Sequence, residues 1–205
     1  MMEDLMRNII YSSIQNFFEN ENDFFEYTSQ TGMTEWNLTH HLCNELSKYI
    51  FWLNNELDVA KLNHDNKRPD IIFHRRQTNR FNLLVVEAKK NRRDRHSDIN
   101  KIKENWMVGR LKYRFGAYIN IWGIHEFEAI LITRNSKEFE EAKIDGNNSK
   151  YISPMMIENQ FRDNIKKIIN EINNDSNHEF LENSLKKKLD NEILKVFSLE
   201  EWNIR

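Results

Sequence analysis

The chain has 205 residues, 30 Lys or Arg against 32 Asp or Glu, a formal charge of −2 and 39% hydrophobic residues, enough for one domain with a substantial core but not for a second catalytic domain. Its single cysteine, Cys43, excludes an intrachain disulfide and makes an intracellular compartment the expectation. No apolar run reaches the ~20 residues of a membrane span, and the acidic start, Met1 to Asp4, is wrong for a signal peptide, so a soluble, cytoplasmic protein with no membrane partner is expected.

Met6, Ile10, Ile14 and Phe17 recur at helical spacing and predict an amphipathic helix over residues 3–18. The polar and aromatic stretch 20–32 breaks it. Thr34 or Asn37 can cap a second helix running to about Asn54, with Leu38, Leu42, Leu46, Tyr49 and Leu53 as its apolar stripe. Glu45 lies about 20° from the direction of Leu38 on that helix, an acid at the edge of a buried face.

A short strand is expected over 57–62 and a turn over 63–67. The next strand, 68–74, has Pro69 at its start, where a missing N–H costs least. Residues 75–80, with Gln77, Thr78 and Asn79, have the composition of a hairpin turn, so the strand at 81–89 should be the antiparallel neighbour of 68–74. A helix follows from Asp94 to about Phe115, its core face including Ile99, Ile102 and Trp106, with Gly109 as a point of interruption and Gly116 as its C-terminal cap. Strands are expected over 117–123 and 127–133. Beyond Ile152 two helices are read, one with Ile157, Phe161, Ile165, Ile169 and Ile172, the other starting near Asn177 with Leu181, Leu185, Leu189 and Ile193, either covering the sheet or forming a dimer surface. Pro154 precedes the first of them. The expected class is α/β, a mixed central sheet flanked by helices in the order helix, three strands, helix, strand, with one more strand appended. It forms a single domain over 1–205, with a core at about 34–134 and a helical extension at about 153–205.

The chemistry concentrates where the apolar strand 83–86 runs into Glu87, Ala88 and Lys89. Strand side chains alternate, so Glu87 and Lys89 share one face and Ala88 takes the other. Burying an isolated charge there would cost on the order of several kcal/mol. A Mg²⁺ ion, which favours hard oxygen ligands and is often held by one or two carboxylates, is a fitting partner. The bland reading of the same residues is a cross-strand ion pair worth roughly 0.2–1 kcal/mol.

Pro69-Asp70 followed by Glu87-Ala88-Lys89 resembles the PD-(D/E)xK motif of restriction-endonuclease-like nucleases, and the element series from about Leu38 to His125 follows the same order. The resemblance implies that Asp70 and Glu87 ligate Mg²⁺ or Mn²⁺, with the Ala88 carbonyl completing the protein ligands. Glu45, from the preceding helix, would join the metal site and orient a metal-bound water. Lys89 would position or help deprotonate that water and offset charge on the phosphate. The activity implied is metal-dependent endonuclease hydrolysis of DNA, in restriction, repair, recombination or defence, with RNA left open.

Charge is segregated along the chain. Residues 61–114 hold 16 Lys or Arg and 6 Asp or Glu, a local +10, which leaves −12 for the rest. The motif lies in the basic part, as expected for contact with a phosphate backbone. Lys67, Arg68, Lys90, Arg92, Arg93, Arg95 and Lys112 are the candidate nucleic-acid contacts. His40, His41 and Cys43 are adjacent but have no second cluster to complete a zinc tetrahedron. His64 and His74 flank Asp70 and read as lone histidines. No glycine-rich phosphate loop or Gly-x-Ser-x-Gly elbow is present. Two competing readings keep the fold without the chemistry: a nucleic-acid-binding module, and an interaction subunit of a larger nucleic-acid-processing complex. A homodimer is compatible with the nuclease reading, since cutting two strands commonly uses two sites.

Overall fold

The computed structural model of the chain describes residues 2–21, 24–25, 35–60, 67–90, 95–135, 138–154, 159–174 and 183–197. The first helix, α1 (Met2–Asn20), buries Leu5, Met6, Ile9, Ile10, Ile14 and Phe17 on one face, and Glu3 and Asp4 in its first turn suit the positive end of the helix dipole. Helix α2 (Glu35–Tyr49) buries the expected stripe of Leu38, Leu42, Leu46 and Tyr49.

Helix α2 ends five residues before Asn54. Ile50 and Trp52 go into the core outside the helix, and the chain turns directly into strand β1 (Asn54–Leu57). The strand expected at 57–62 therefore lies earlier. Residues Asn54 and Asn55 favour the extended state over a last helical turn, and β1 gains a ladder with β2 (Ile71–His74) from Asn54–His74 to Leu57–Ile71. Residues 61–66 lie outside the described residues.

Strand β2 pairs antiparallel with β3 (Leu84–Lys89), as the hairpin reading requires. Strand β3 then pairs parallel with β4 (Phe115–Gly123). A parallel neighbour needs a crossover, and α3 (His96–Lys101) with the π-helical turn Ile102–Trp106 supplies it. The long helix expected from 94 to 115 stops at Trp106, because the chain has to travel back to the start of β4; Gly109 and Lys112 take positive φ values of 66° and 45° in that return. Gly116 is not a helix cap. It lies in β4, where an added Cβ would collide with Ile102 Cγ2 and come within 2.8 Å of Met107 Sδ.

Strand β5 (Glu126–Asn135) pairs antiparallel with β4, and β6 (Glu138–Ile144) with β5. Sequence patterning missed β6 because Glu138, Glu140, Glu141 and Lys143 break any apolar alternation. Such charges are what an edge strand carries against unwanted pairing. The six strands lie in the order β1 to β6, so the chain is α/β with a mixed six-stranded sheet flanked by helices.

Alternation sorts the sheet into two layers. Ile71, Phe73, Leu84, Val86, Ala88, Ala117, Ile119 and Leu131 join a core with α1, α2, α4 (Asn159–Asn174) and α5 (Asn183–Phe197). Ile72, Val85, Tyr118, Ile130 and Ile132 face α3 and the π-helical turn through Ile99, Ile102 and Trp106. Ile165, Ile169, Ile172, Leu189 and Ile193 are buried in the first layer, where α5 packs against α1 and α4. Ile157, Leu181 and the helix start near Asn177 lie outside the described residues. No helix among the described residues is long and apolar enough to cross a membrane.

Candidate functional site

The register of the hairpin builds the site. Ile72 opposes Val85 and both face α3. Two steps along each strand, the side chains of Asp70 and Glu87 return to that face, and Lys89 follows two residues later. Asp70 Oδ2 accepts a hydrogen bond from the Ala88 N–H at 2.7 Å and lies 3.8 Å from Lys89 Nζ. Glu87 is 0% exposed. Its Oε2 accepts from Lys101 Nζ at 2.6 Å and its Oε1 from the Trp106 indole N–H at 3.2 Å. The structure thus brings together Asp70, Glu87, Ala88 and Lys89.

Burial governs the electrostatics. It raises the Asp70 carboxyl above its ordinary value, against the pull of the Ala88 N–H and of the Lys89 and Lys101 charges. Glu87 is pushed up to about 7, by burial first and then by the negative charge of Asp70, with Lys101 and Trp106 opposing. Burial lowers the Lys89 ammonium, but its hydrogen bond to Glu35 and the charge of Asp70 outweigh that, so the group ends above its ordinary value.

Three participants were not found from the sequence. Glu35, the first residue of α2, accepts from Lys89 Nζ at 2.8 Å. Lys101 and Trp106 reach Glu87 from the crossover. A signal existed for Lys101, which lies beside the core positions Ile99 and Ile102. The same kind of signal pointed to Glu45. Glu45 accepts from Asn20 at 3.1 Å and from Lys48 at 2.6 and 2.7 Å, in the layer shared with α1. Ten residues of helix, about 15 Å of rise, separate it from Glu35. The structure does not bring Glu45 to Asp70 and Glu87; the acid that α2 presents beside the motif is Glu35.

A hard divalent cation fits this donor set. Two carboxylates on adjacent strands each gain proton affinity from burial, and a cation between them would relieve it. Within a strand the N–H and C=O of one residue point to the same edge, so the Ala88 carbonyl is directed to the edge where its N–H meets Asp70. Continuing the register two residues past the Ile71–Val86 pair sets Pro69 opposite Ala88, and a proline has no N–H to occupy that carbonyl. Among the described residues no group of three or more His, Cys, Asp or Glu is disposed to hold a metal. Two carboxylates, a carbonyl and water form the donor set that Mg²⁺ or Mn²⁺ accepts.

The expected nucleic-acid contacts disperse. Lys67 is exposed and donates to Asn105 Oδ1 at 2.8 Å, and Arg68 pairs with Asp58 at 3.3 Å. Lys90 lies 5.5 Å over the Phe24 ring, and Arg95 pairs with Glu128. Arg92 and Arg93 lie outside the described residues. Lys112 is at the other end of β3 from the carboxylates, lining a cavity with Asn82 and Leu83.

The segregation of charge in the sequence is also largely folded away. Arg68, Arg76, Lys89, Arg95, Lys103 and Arg114 pair with Asp58, Glu56, Glu35, Glu128, Glu141 and Asp190, acids that all come from outside the basic segment. The pairs of Arg68, Arg76 and Lys103 are exposed and of a kind worth about 0–1 kcal/mol each, whereas those of Lys89, Arg95 and Arg114 are partly buried. His74 faces Glu56 at 3.1 Å, and His41 faces Glu21 at 2.6 Å. Comparison with protein-family models, curated proteins and solved structures finds no match to this chain.

Proposed function

We propose that this chain is a metal-dependent phosphodiester hydrolase of the PD-(D/E)xK, restriction-endonuclease-like class, acting on DNA. The observation that carries the reading is the convergence of Asp70, Glu87 and Lys89 on one sheet face, with Glu87 fully buried beside a second carboxylate. A carboxylate pair of this kind, placed only for stability, would be expected to have been replaced by apolar side chains. The order α2, β1, β2, β3, α3, β4 and the parallel β3–β4 pair add support.

Asp70, Glu87 and the Ala88 carbonyl would hold Mg²⁺ or Mn²⁺, which supplies Lewis acidity and a water of lowered pKa. Lys89, kept cationic by Glu35 and Asp70, orients water and offsets negative charge on the phosphate; its raised proton affinity makes it a poor proton acceptor near neutral pH. Lys101 offers a second cation on the crossover side. Trp106 donates to Glu87 and closes that side of the carboxylate to water.

The test is cleavage of supercoiled plasmid, linear duplex, single-stranded DNA, a four-way junction and RNA, with Mg²⁺, Mn²⁺ or EDTA, comparing the wild type with Asp70→Ala and Lys89→Ala. Metal-dependent cutting lost in both variants is the expected result. Salt-sensitive binding by all three proteins with no cutting of any substrate would replace the hydrolase with the nucleic-acid-binding module.

A further inference from the structure

The crossover does more than return the chain to β4. Lys101, the last residue of α3, and Trp106, the last of the π-helical turn, lie five positions apart. On a regular α-helix they would point roughly 140° away from each other, at ~100° per residue. A π-helix instead closes i→i+5 hydrogen bonds, here from the Met107 N–H to the Ile102 carbonyl at 3.1 Å, and the wider turn brings residues five apart onto one face. Both donors consequently reach Glu87, the Trp106 indole N–H at Oε1 and the Lys101 ammonium at Oε2. Turns of this kind are rare and gather at functional sites.

The two donors differ in what they can do. Trp106 is fully buried and neutral, and shuts the inner side of the carboxylate. The Lys101 side chain is 33% exposed and carries its charge on a flexible four-carbon stem, so it is the partner of Glu87 that can move into water. Asp70 is itself partly exposed. A divalent ion drawn to Asp70 and Glu87 therefore meets an ammonium already 2.6 Å from the oxygen it needs. Two cations on one buried oxygen repel strongly where water does not screen them, so one of them has to leave.

We infer that Lys101 is a tethered cation that competes with the divalent ion for Glu87 Oε2, so that loading the site displaces its ammonium and frees it for the phosphate. The inference rests on the hydrolase reading and adds to it a residue that sets how tightly the metal is held. A Lys101 kept only to balance a buried carboxylate would act with the opposite sign. Its removal would leave Glu87 disorganised and weaken metal binding.

The experiment combines calorimetric titration of the full chain with Mn²⁺ at pH 8 and acetylation of its lysines, read by mass spectrometry with and without Mn²⁺; neither needs cleavage. Lys101→Met and Lys101→Gln should bind Mn²⁺ about tenfold more tightly than the wild type, the order of one charge-assisted hydrogen bond. In the wild type, Mn²⁺ should raise acetylation of Lys101 while that of Lys143, an exposed lysine on β6, stays constant, and Asp70→Ala should abolish the rise. The acetylation arm needs no change at Lys101 and decides the question should either variant fold poorly. Unchanged or weaker Mn²⁺ binding in both variants, Lys101 acetylation that Mn²⁺ does not raise, or a rise that persists in Asp70→Ala would overturn the role of Lys101. The hydrolase reading would stand in those cases as long as the wild type takes Mn²⁺ saturably and Asp70→Ala does not. No saturable Mn²⁺ binding by any of the proteins would overturn both.

Discussion

The two ends of β3 are opposite in charge and in origin. At its C-terminal end Asp70, Glu87 and Glu35 meet Lys89 and Lys101, three carboxylates to two ammonium groups, an arrangement that favours a cation. At its N-terminal end Arg80, Lys112, Arg114 and Lys186 line a cavity with Asp190, and Arg114 spends both terminal nitrogens on that carboxylate. Roughly 16 Å of strand separates Asn82 from Glu87. The acid end is set by a hairpin and its register. The basic end is assembled from a hairpin turn, a return loop and the last described helix.

The largest effects should separate the ends. Asp70→Ala and Lys89→Ala are expected to lower metal-dependent cutting of a labelled duplex on the order of 10²–10³-fold. Next in size is the cost of ionising Glu87. Its folded value of about 7 lies above the ordinary 4.5, so between those two pH values the folded protein keeps a proton that the unfolded chain has released. Stability should fall as pH rises through that window and then level off, by up to about 3 kcal/mol at 1.36 kcal/mol per unit. Asp70, also raised, adds a fall of the same sign starting at lower pH. Urea unfolding in EDTA at pH 5 and pH 8 measures this, and Glu87→Gln should remove most of the slope. A slope unchanged in that variant would place the proton elsewhere.

Gly116→Ala should act on the acid end alone. The added methyl collides with Ile102 and Met107, which flank the turn carrying Trp106 onto Glu87. Overpacking of this kind costs about 1–3 kcal/mol. Chemical denaturation should show that loss. An unchanged stability would show that Ile102 and Met107 give way to the methyl group.

How far each end could be read from the sequence follows from its construction. Asp70, Glu87 and Lys89 were legible because strand alternation and a hairpin are short-range rules, and an apolar run ending in Glu-Ala-Lys is visible without any tertiary knowledge. The β2–β3 pairing and the helical stripes of α1 and α2 were legible for the same reason. The early end of α2 and the start of β1 were not, since Asn54 becomes a strand only by pairing with His74. Strand β6 was hidden by its edge charges. The crossover was read as one long helix because Trp106 continues the apolar period, while the need to return to β4 is a property of the whole sheet. The basic cavity could not be read at all: Lys112 and Lys186 lie 74 positions apart in the sequence, and only the packing of α5 on the sheet brings them together.

The smallest expected effect decides which acid of α2 serves the site. Glu35 holds Lys89 at 2.8 Å, so Glu35→Gln should leave Lys89 less fixed beside Asp70 and slow cutting by a few-fold, about 1 kcal/mol or less for a partner that is 40% exposed. Restoring the charge with Glu35→Asp should recover part of the rate if the pair positions Lys89, and none if Glu35 matters only as a helix start. Glu45→Gln is the contrast. Its partners, Asn20 and Lys48, belong to the opposite layer, so it should lower stability slightly and leave the cutting rate alone. Steady-state cleavage of a labelled duplex with the three variants side by side reads both. A slowed Glu45→Gln with an unchanged Glu35→Gln would reverse the assignment and require α2 to slide along its axis when substrate binds, a movement that the burial of Leu38, Leu42 and Leu46 opposes.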